Sequence, residues 1–311
     1  MGAIQAQDLN MAKLALALRS KESVSGISKS LQNQEIIRAH ILRPTWHFIA
    51  REDYLKMNRL SAPYVKKIII PQLKNLGVTF ETLLNVGPLL AKFFQTHPVC
   101  AREDISALFG ANSIPSTSIA TGMILMYYEL EQMVIQDYTT SLTNAYSLLS
   151  IDTNNDNDSE LDSAVWLAKK YFTSHGPATI QDFKWWSGLP AGLCTQVEKS
   201  LAGQFNEIEY NGRKYYFNGD LPVDTTHQAI LLPAYDEMLI SYTNRSHALA
   251  DEHLRKVVTS NGIFRPVVLQ DNKVKAIWKK DKKHFNYEKI ETDFNDQELK
   301  QVEEYTFKKL S

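Results

Sequence analysis

The hydrophobic pattern is clearest between residues 161 and 217, where apolar positions recur at helical spacing. It predicts three short helices, with stops at the Ser-His-Gly-Pro segment 174–177 and at Gly188. Two strand-like runs then flank Asn211-Gly212, which is a strong hairpin signal because a type I′ turn needs positive φ at both positions. Three helices followed by a hairpin predict a winged helix-turn-helix unit over residues 163–222.

An earlier stretch repeats this order less sharply. Residues 86–94 predict a helix that stops at His97-Pro98, 102–109 a second helix that closes at Gly110, and 119–132 a longer third helix. Residues 134–138 follow as a strand. The sequence therefore predicts a second winged-helix unit over residues 61–150.

The N-terminal segment predicts an incomplete unit of the same kind over residues 1–60. Asp8 is placed to cap a helix that carries Leu9 to Leu18, and a polar loop rich in Ser and Lys follows. Residues 36–49 are β-branched, apolar and roughly alternating, which favours a strand. A complete unit would have another helix ahead of Gly2, so we expect this first unit to be partial.

The last ninety residues break the pattern. Apolar runs at 230–233 and 238–240, a hairpin around Asp271-Asn272, a strand at 284–290 and a final amphipathic helix from Asn295 predict an α+β module over residues 223–311. The fold class expected for the whole chain is thus mainly α with small β wings (α+β): tandem winged helix-turn-helix units and a C-terminal α+β module.

Residues 151–162 are acidic and Asn-rich and predict a linker. Its alternating Asp and Asn residues resemble a calcium-binding loop, but the sixth position is Asn157 instead of Gly and the twelfth is Ser163 instead of Glu. We therefore predict no calcium site there.

Composition narrows the possible functions. The 311 residues carry 34 Lys and Arg against 35 Asp and Glu, so the net charge is −1, and the 44% hydrophobic share excludes wholesale disorder. No apolar run reaches the roughly 18 residues of a membrane helix, and Cys100 and Cys194 cannot by themselves form a disulfide scaffold or a zinc site. A cytoplasmic protein is expected, with no metal and no membrane partner.

Charge is nevertheless uneven along the chain. Residues 273–284 contain six Lys and one Asp, a local charge of +5 on or just after a predicted hairpin. Either these lysines protect the edge of a sheet, or they form a surface that contacts phosphates. The sequence leaves both interpretations open.

Common catalytic motifs are missing, since the chain has no Gly-rich phosphate loop, GxSxG elbow or HExxH pair. Winged helices by themselves favour a DNA-binding regulator, and many are protein-interaction modules. A regulator predicts binding to a defined operator. A scaffold predicts no basic concave surface and no affinity for DNA at moderate salt.

Two short patterns favour an enzyme instead: Ile4-Gln5-Ala6-Gln7, and the Arg-Pro-Thr-Trp-His segment 43–47. Together with the tandem units and the Leu-Leu-Pro-Ala-Tyr-Asp segment 231–236, they resemble the bacterial winged-helix DNA glycosylases of the AlkZ and YcaQ kind, from the first residues to at least Trp278. The resemblance implies hydrolysis of the N-glycosidic bond of alkylated purines, chiefly N7-alkylguanine, with cross-link unhooking in some members and no cofactor.

The resemblance also implies roles for single residues. Gln5 and Gln7 would be catalytic, although near a chain start they are also explained as exposed or frayed. Arg43, Thr45 and His47 would contact DNA, and a structural hydrogen-bond network explains them equally well. Apart from the resemblance, their positive charge makes five more residues candidates for DNA contact: Lys184, Arg213, Lys214, Lys273 and Lys275. The partner would be damaged double-stranded DNA, gripped by a monomer.

Glutamine suits this reaction physically. An alkylated purine is already cationic and leaves readily, so the enzyme must position a water and stabilise an oxocarbenium-like transition state. A Gln carbonyl accepts a hydrogen bond from water while its amide donates to phosphate or sugar. Two residues apart share a face only in extended chain, so we expect Gln5 and Gln7 in an extended or helix-entry conformation. Neither motif contains a lysine, so no Schiff-base step is expected.

Several other side chains are predicted to be structural. Trp46 is expected in the core, and Trp185 and Trp186 are expected to pack in the protein and not to act as base wedges. Asp236 and Arg245 occupy positions that the family pattern marks, and an internal ion pair is the role expected for them.

Overall fold

The computed structural model describes residues 1–151, 158–221, 229–282, 284–295 and 299–310. Its helices are α1 (Leu9–Leu18), α2 (Val24–Gln32), α3 (Arg51–Asn75), α4 (Phe80–Thr96), α5 (Arg102–Ala111), α6 (Ser118–Leu130), α7 (Glu160–His175), α8 (Ile180–Ser187), α9 (Ala191–Ser200), α10 (Glu237–Ile240), α11 (Leu254–Val257) and α12 (Lys300–Leu310). Its strands are β1 (Ala3–Gln5), β2 (Ile36–Ile41), β3 (Thr45–Ala50), β4 (Val99–Ala101), β5 (Val134–Asp137), β6 (Ala145–Leu148), β7 (Asn206–Tyr210), β8 (Arg213–Phe217), β9 (Ile230–Leu232), β10 (Val267–Gln270), β11 (Lys273–Lys280) and β12 (Phe285–Lys289). The fold is mixed α+β with small sheets.

The chain forms two compact units. One comprises residues 1–29, 168–186 and 191–311, and we call it the terminal unit because it contains both chain ends. The other, the central unit, comprises residues 30–167 and 187–190. The domain scheme drawn from the sequence stays a prediction, and its boundary at residue 60 falls inside α3.

The central unit has one continuous apolar core. Its buried side chains come from α3, α4, α5 and α6 and from the small antiparallel sheet of order β4-β6-β5. The fully buried Val65, Val86 and Phe109 show how the apolar stripes of three of these helices meet. β2 and β3 form an antiparallel hairpin in the same unit, with Ile37 opposite Ile49.

The terminal unit joins the two ends of the chain. Leu14 of α1 packs with Leu231 and Trp278 of the antiparallel sheet β12-β11-β10-β9, and α12 contributes to the same apolar cluster. The ammonium of Lys309 in α12 donates to the main-chain oxygens of Ser20 (2.7 Å) and Glu22 (2.9 Å), just after α1. The first helix is therefore held by residues from the end of the chain.

An aromatic cluster forms another part of this unit's core. Tyr171, Phe172, Phe183 and Trp186 are each fully buried, and their rings lie 5.0–6.0 Å apart between centroids in the pairs they form. Because aromatic rings bury a large apolar area each, two helices, α7 and α8, supply this part of the core.

Most local predictions are confirmed. The helices expected over 86–94, 102–109 and 119–132 are α4, α5 and α6, with bounds shifted by a few residues at most of their ends and α4 beginning six residues earlier. The hairpins at Asn211-Gly212 and Asp271-Asn272 are present, and all four of these residues have positive φ, between 50° and 68°. Of the predicted acidic linker 151–162, residues 152–157 lie outside the described residues, and residues 160–162 are the start of α7 instead of linker.

Two expectations were wrong. The Ser/Lys-rich stretch expected to be a loop is α2, because Ile27 and Leu31, four residues apart, are both buried. Arg43 was expected in a continuous strand, but residues 42–44 form a tight turn between β2 and β3. Leu42 adopts a φ of 61° there, and the amide of Arg43 donates to the oxygen of Ile41 over 2.6 Å.

Candidate active site and DNA-contact residues

Gln5 and Gln7 lie at the junction between strand β1 and helix α1. Gln5 ends the strand and is buried, with 6% of its surface exposed, whereas Gln7 is exposed in the bend that follows. Asp8 then caps the helix, accepting hydrogen bonds from the amides of Asn10 and Met11, each over 3.0 Å. The extended conformation expected for Gln5, the helix-entry position of Gln7 and the role of Asp8 as the cap are confirmed, whereas the shared face expected for the two glutamines stays a prediction.

A buried carboxylate holds the main chain at Gln5. The amide of Gln5 donates to Oε1 of Glu237 over 2.6 Å, and Glu237 has 2% of its surface exposed. Oε2 of the same carboxylate accepts from Nε1 of Trp186 over 3.1 Å and from the hydroxyl of Ser241. His175 lies near the same oxygen, with its Nε2 at 3.6 Å. Glu237 thus connects four parts of the terminal unit.

Asp236, the residue before Glu237, makes a second connection to the N-terminal segment. Asp236 forms a two-point ion pair with Arg19, with Nη1–Oδ2 and Nη2–Oδ1 distances of 2.8 and 2.6 Å. Arg19 is the C-cap of α1, and Asp236 is also the N-cap of α10. Consecutive carboxylates therefore hold both ends of the segment that carries Gln5 and Gln7.

Glu237 is ionised in this environment. Burial by itself would raise the pKa of its carboxyl, but the neighbouring His175, the Ser241 hydroxyl and the Gln5 amide lower the pKa to about 2. A carboxylate that accepts several hydrogen bonds stays charged even where water is excluded. The anchor beneath Gln5 is therefore a permanent anion at neutral pH.

Sequence reasoning did not find Glu237. Glu237 follows Gln5 by 232 positions, and the sequence around it predicts only an ordinary short helix, so no pattern links the two residues. The nearest signal was the expectation of an internal ion pair for Asp236 and Arg245. Asp236 does form an internal ion pair, but its partner is Arg19, so the expected partner was wrong. Arg245 instead donates from Nε to the oxygen of Leu239 and lies 5.1 Å from the ring centre of Phe264.

The second predicted motif lies in the central unit. Thr45 begins β3 and is half-buried, as is Arg43 in the turn before it, and His47 is fully buried. Nδ1 of His47 lies 2.9 Å from the main-chain oxygen of Thr45. Nε of Arg43 and Oγ1 of Thr45 are themselves buried, so these two residues are only partly open to solvent, and His47 supports the strand that Thr45 begins.

A buried polar network adjoins this hairpin. Nδ1 of His40 lies 2.5 Å from Oε2 of Glu129, and Arg38 donates to Oε1 of Gln136 over 2.8 Å. The ring of Trp46 lies 3.7 Å from His40 and 4.4 Å from the Arg38 guanidinium, and it packs against the core as expected. Because the partners are about 90–100 residues apart along the chain, local sequence patterns could not predict this network.

The remaining basic residues differ in accessibility. Lys184 and Arg213 are exposed, and Lys214 is exposed beside Glu207, with 2.8 Å between Nζ and the carboxylate. Nζ of Lys273 donates to the main-chain oxygen of His247 over 3.0 Å.

Lys275 is the most enclosed member of this set. Its side chain is 14% exposed and forms a 2.6 Å ion pair with Asp293. Of the two interpretations of the 273–284 lysines, a structural role suits Lys275 better.

The two tryptophans of α8 are held by hydrogen bonds. Trp186 is fully buried against Glu237, and Trp185, which is 44% exposed, donates from Nε1 to the oxygen of Ile240 over 2.9 Å. Packing of Trp186 within the protein is confirmed. Trp185 is exposed instead of buried, so the expectation that it packs within the protein was wrong for this residue.

The described part of the chain shows no clustered metal ligands, and its two thiols are buried. Across 1–151, 158–221, 229–282, 284–295 and 299–310, no group of three or more His, Cys, Asp or Glu is arranged to hold a metal ion. Cys100 and Cys194 are buried free thiols, and burial raises their pKa to about 12 and about 11. Among the described helices, none has the length and apolarity needed to cross a membrane.

Known proteins of one family are similar to this chain in sequence and in fold. Residues 1–288 match the family described as DNA glycosylase AlkZ-like. An interstrand DNA cross-link repair glycosylase of Streptomyces sahachiroi is 26% identical over 126 residues, which cover 38% of this chain and 34% of that protein. The aligned part thus spans about a third of this curated relative. The structure of Streptomyces sahachiroi DNA glycosylase AlkZ matches with a TM-score of 0.81 and 17% identity, over 99% of this chain and 88% of that one.

Proposed function

Since the chain belongs to the AlkZ-like DNA glycosylase family over residues 1–288, we propose that it hydrolyses the N-glycosidic bond of alkylated purines in duplex DNA. The substrate class is N7-alkylguanine, and it includes interstrand cross-links of the kind that the curated relative is named for. Gln5 and Gln7 position the attacking water. No metal or organic cofactor takes part in the proposed reaction.

The observation that carries this proposal is the anchored junction of β1 and α1. Gln5 is buried and Gln7 exposed on a segment held at one end by Glu237 and at the other by Asp236. A neutral amide cannot remove a proton from water at neutral pH, so its contribution is orientation and dipole stabilisation. Both contributions require a rigid backbone, which the two carboxylates provide.

The weak assistance that an amide gives is sufficient because the alkylated purine is already a good leaving group. Alkylation at N7 leaves the purine positively charged, so the bond to the sugar breaks without strong acid catalysis. As the bond breaks, positive charge moves to the sugar, and a Gln carbonyl oxygen presents its negative dipole end to that charge. Its other hydrogen-bonding group, the amide NH₂, is available to phosphate or sugar.

We further propose that two segments act as winged-helix DNA-binding units. In the first, β4 and helices α4 to α6 precede the strands β5 and β6, and in the second, helices α7 to α9 precede the β7–β8 hairpin. The exposed Lys184 and Arg213 belong to the second segment and are proposed to contact phosphates. Arg43 and Thr45 are proposed as further DNA contacts, with His47 as the buried support of the strand that Thr45 begins.

The experiment uses duplex DNA with a single N7-methylguanine, incubated with the protein and then treated with hot alkali, which cleaves the strand at abasic sites. Cleavage at the lesion by the wild type, and its loss when Gln5→Ala and Gln7→Ala are combined, is the expected result. DNA affinity of the double variant should stay within about threefold, because the phosphate contacts remain. Full activity of the double variant would overturn the role of the two glutamines.

The same assay distinguishes the alternatives. A wild type that binds duplex DNA and leaves the lesion intact is a non-enzymatic DNA-binding protein. Preference for one undamaged sequence over the lesion would further identify a regulator. A chain that binds no DNA at moderate salt is neither, which leaves a protein-interaction scaffold.

A further inference from the structure

The hydrogen bond between Gln5 and Glu237 fixes the main chain, and through it the side-chain direction. In extended backbone the N–H and the Cα–Cβ bond of one residue have a nearly fixed relative orientation, because φ is confined to a narrow range. Holding the Gln5 amide on a buried acceptor therefore fixes the direction of the Gln5 Cα–Cβ bond, from which the carboxamide extends.

Glu237 is itself held in place from several sides. Trp186 and Ser241 both donate to Oε2, which leaves Oε1 directed at the Gln5 amide over 2.6 Å. Trp186 is fully buried and cannot move without disturbing the aromatic core. The acceptor is therefore more rigid than the strand that it anchors.

From this geometry we propose that Glu237 is a positioning residue for the glycosylase reaction, and that it acts on the reaction through the main-chain amide of Gln5. This rests on the proposed function, since it takes the Gln5 side chain to be the group that orients water. Glu237 itself touches neither water nor DNA in the proposed reaction.

The substitution that tests this role is Glu237→Gln, which keeps shape and volume. A carboxamide has one accepting oxygen and one donating nitrogen, whereas the carboxylate accepts on both sides. In either orientation of the new amide, the Gln5 amide or the Trp186 indole therefore faces a donor. A shift of about an ångström in a catalytic group costs on the order of a hundredfold in rate.

Asp182→Asn provides a matched control. Asp182 is another buried carboxylate of the terminal unit, and it accepts hydrogen bonds from the main chain and hydroxyl of both Thr179 and Thr243 at 2.7–3.0 Å. It has the same chemistry as Glu237, and none of these bonds involves β1. The control therefore separates general damage to the unit from loss of the Gln5 anchor.

Single-turnover excision of N7-methylguanine and DNA affinity are measured for the three proteins, with hydrogen exchange of the Gln5 amide as a second readout. We expect Glu237→Gln to excise about a hundredfold more slowly at saturating protein, with the Kd for DNA unchanged within about twofold and faster exchange at Gln5. Asp182→Asn should stay within about threefold of the wild-type rate. Equal rates for the two variants, or an unchanged exchange rate at Gln5, would overturn the proposal.

Failure of the proposed function gives a different result. A wild type that leaves N7-methylguanine intact overturns the glycosylase assignment and, with it, a catalytic role for Glu237. A wild type that excises, with Glu237→Gln as fast as Asp182→Asn, overturns the positioning role alone. The exchange measurement decides in both cases whether the carboxylate holds the strand.

Discussion

Arg19 and Asp236 form a two-point ion pair across 217 residues of sequence, with oxygen–nitrogen distances of 2.6 and 2.8 Å. The aspartate side chain is 1% exposed and the arginine side chain 27%. The parallel hydrogen bonds join the end of α1 to the start of α10. The pair therefore stabilises the arrangement on which the Gln5–Glu237 contact depends.

Removal of Arg19 should be costly. Arg19→Gln leaves the buried Asp236 carboxylate without its cation, and breaking a buried pair in this way typically costs about 3–5 kcal/mol in free energy of unfolding. Urea unfolding of the variant measures this loss. Lys214→Gln is the control, since its ion pair with Glu207 is exposed and screened by solvent, so that its removal should change the free energy of unfolding little. Equal losses for the two variants would contradict the structural role of the buried pair.

The variant Gln7→Ala distinguishes an effect on the excision rate from an effect on the free energy of unfolding. Its side chain is exposed, so Gln7→Ala should change the free energy of unfolding by no more than about 0.5 kcal/mol. The excision rate should nevertheless fall by about a hundredfold or more if Gln7 orients water. Urea unfolding and the N7-methylguanine assay on the same preparation give both quantities. Retained excision would exclude Gln7 from the reaction and leave Gln5 as the candidate.

The ionisation of Glu237 should make stability depend on pH in acid. Its pKa is about 2 in the folded chain against an ordinary value of 4.5, so the folded state binds fewer protons than the unfolded state between these values. The stabilisation is complete above about pH 4.5 and is lost as pH falls towards 2.

The difference in unfolding free energy between the wild type and Glu237→Gln isolates this contribution. It should shrink by on the order of 3 kcal/mol between pH 5 and pH 2, as followed by urea unfolding at each pH. A difference that is the same at pH 3 and pH 6 would show that the charge of Glu237 contributes nothing.

Local sequence patterns predicted much of the secondary structure, because helices and two-residue hairpins depend on neighbouring residues. The Asn211-Gly212 turn is an example, since positive φ at both positions follows from the dipeptide alone. α2 was missed because its Ser and Lys residues hide two buried positions, Ile27 and Leu31. α3 was also missed, since Pro63 and Pro71 interrupt its pattern as helix breakers would.

The candidate site was predicted only in part, because its parts come together through tertiary contacts. The glutamines and their conformation follow from the sequence and from the Asp8 cap. Their anchor does not, since Glu237 carries no motif and its contact with Gln5 depends on how the two chain ends pack. The same holds for His40 and Glu129 in the central unit, which meet across 89 residues.

Side chains that bind phosphate can be identified by the salt dependence of DNA affinity. Removing one such side chain should lower the slope of log K against log salt concentration by about 1. We expect this for Lys184→Ala and for Arg213→Ala, both exposed in the second proposed winged-helix unit. Filter binding to a duplex between about 50 and about 200 mM salt measures the slope.

Lys275 provides the control for that series. Its ion pair with Asp293 can be removed without changing net charge by combining Lys275→Ala and Asp293→Ala. The slope should then stay at the wild-type value. A slope reduced by about 1 would instead assign Lys275 to phosphate binding.

Gly188 supports the turn that carries Arg43. Its φ is +70°, and a Cβ built there would lie 2.5 Å from the main-chain oxygen of Leu42. Gly203 has a similar φ of +73° with no atom within 4 Å of its Cβ position. Both positions disfavour alanine through the backbone, at about 1 kcal/mol, and only Gly188 adds a steric clash.

Comparing Gly188→Ala with Gly203→Ala therefore isolates the effect of moving the turn. Gly203→Ala should cost about 1 kcal/mol in unfolding free energy, and Gly188→Ala a further ~1–3 kcal/mol because the turn must shift to relieve the clash. If Arg43 contacts DNA, the shift should also weaken duplex binding in Gly188→Ala and leave Gly203→Ala unchanged. Urea unfolding and DNA binding test the two effects separately. A destabilised Gly188→Ala with wild-type affinity would show that the turn at Arg43 is structural and that DNA is bound elsewhere.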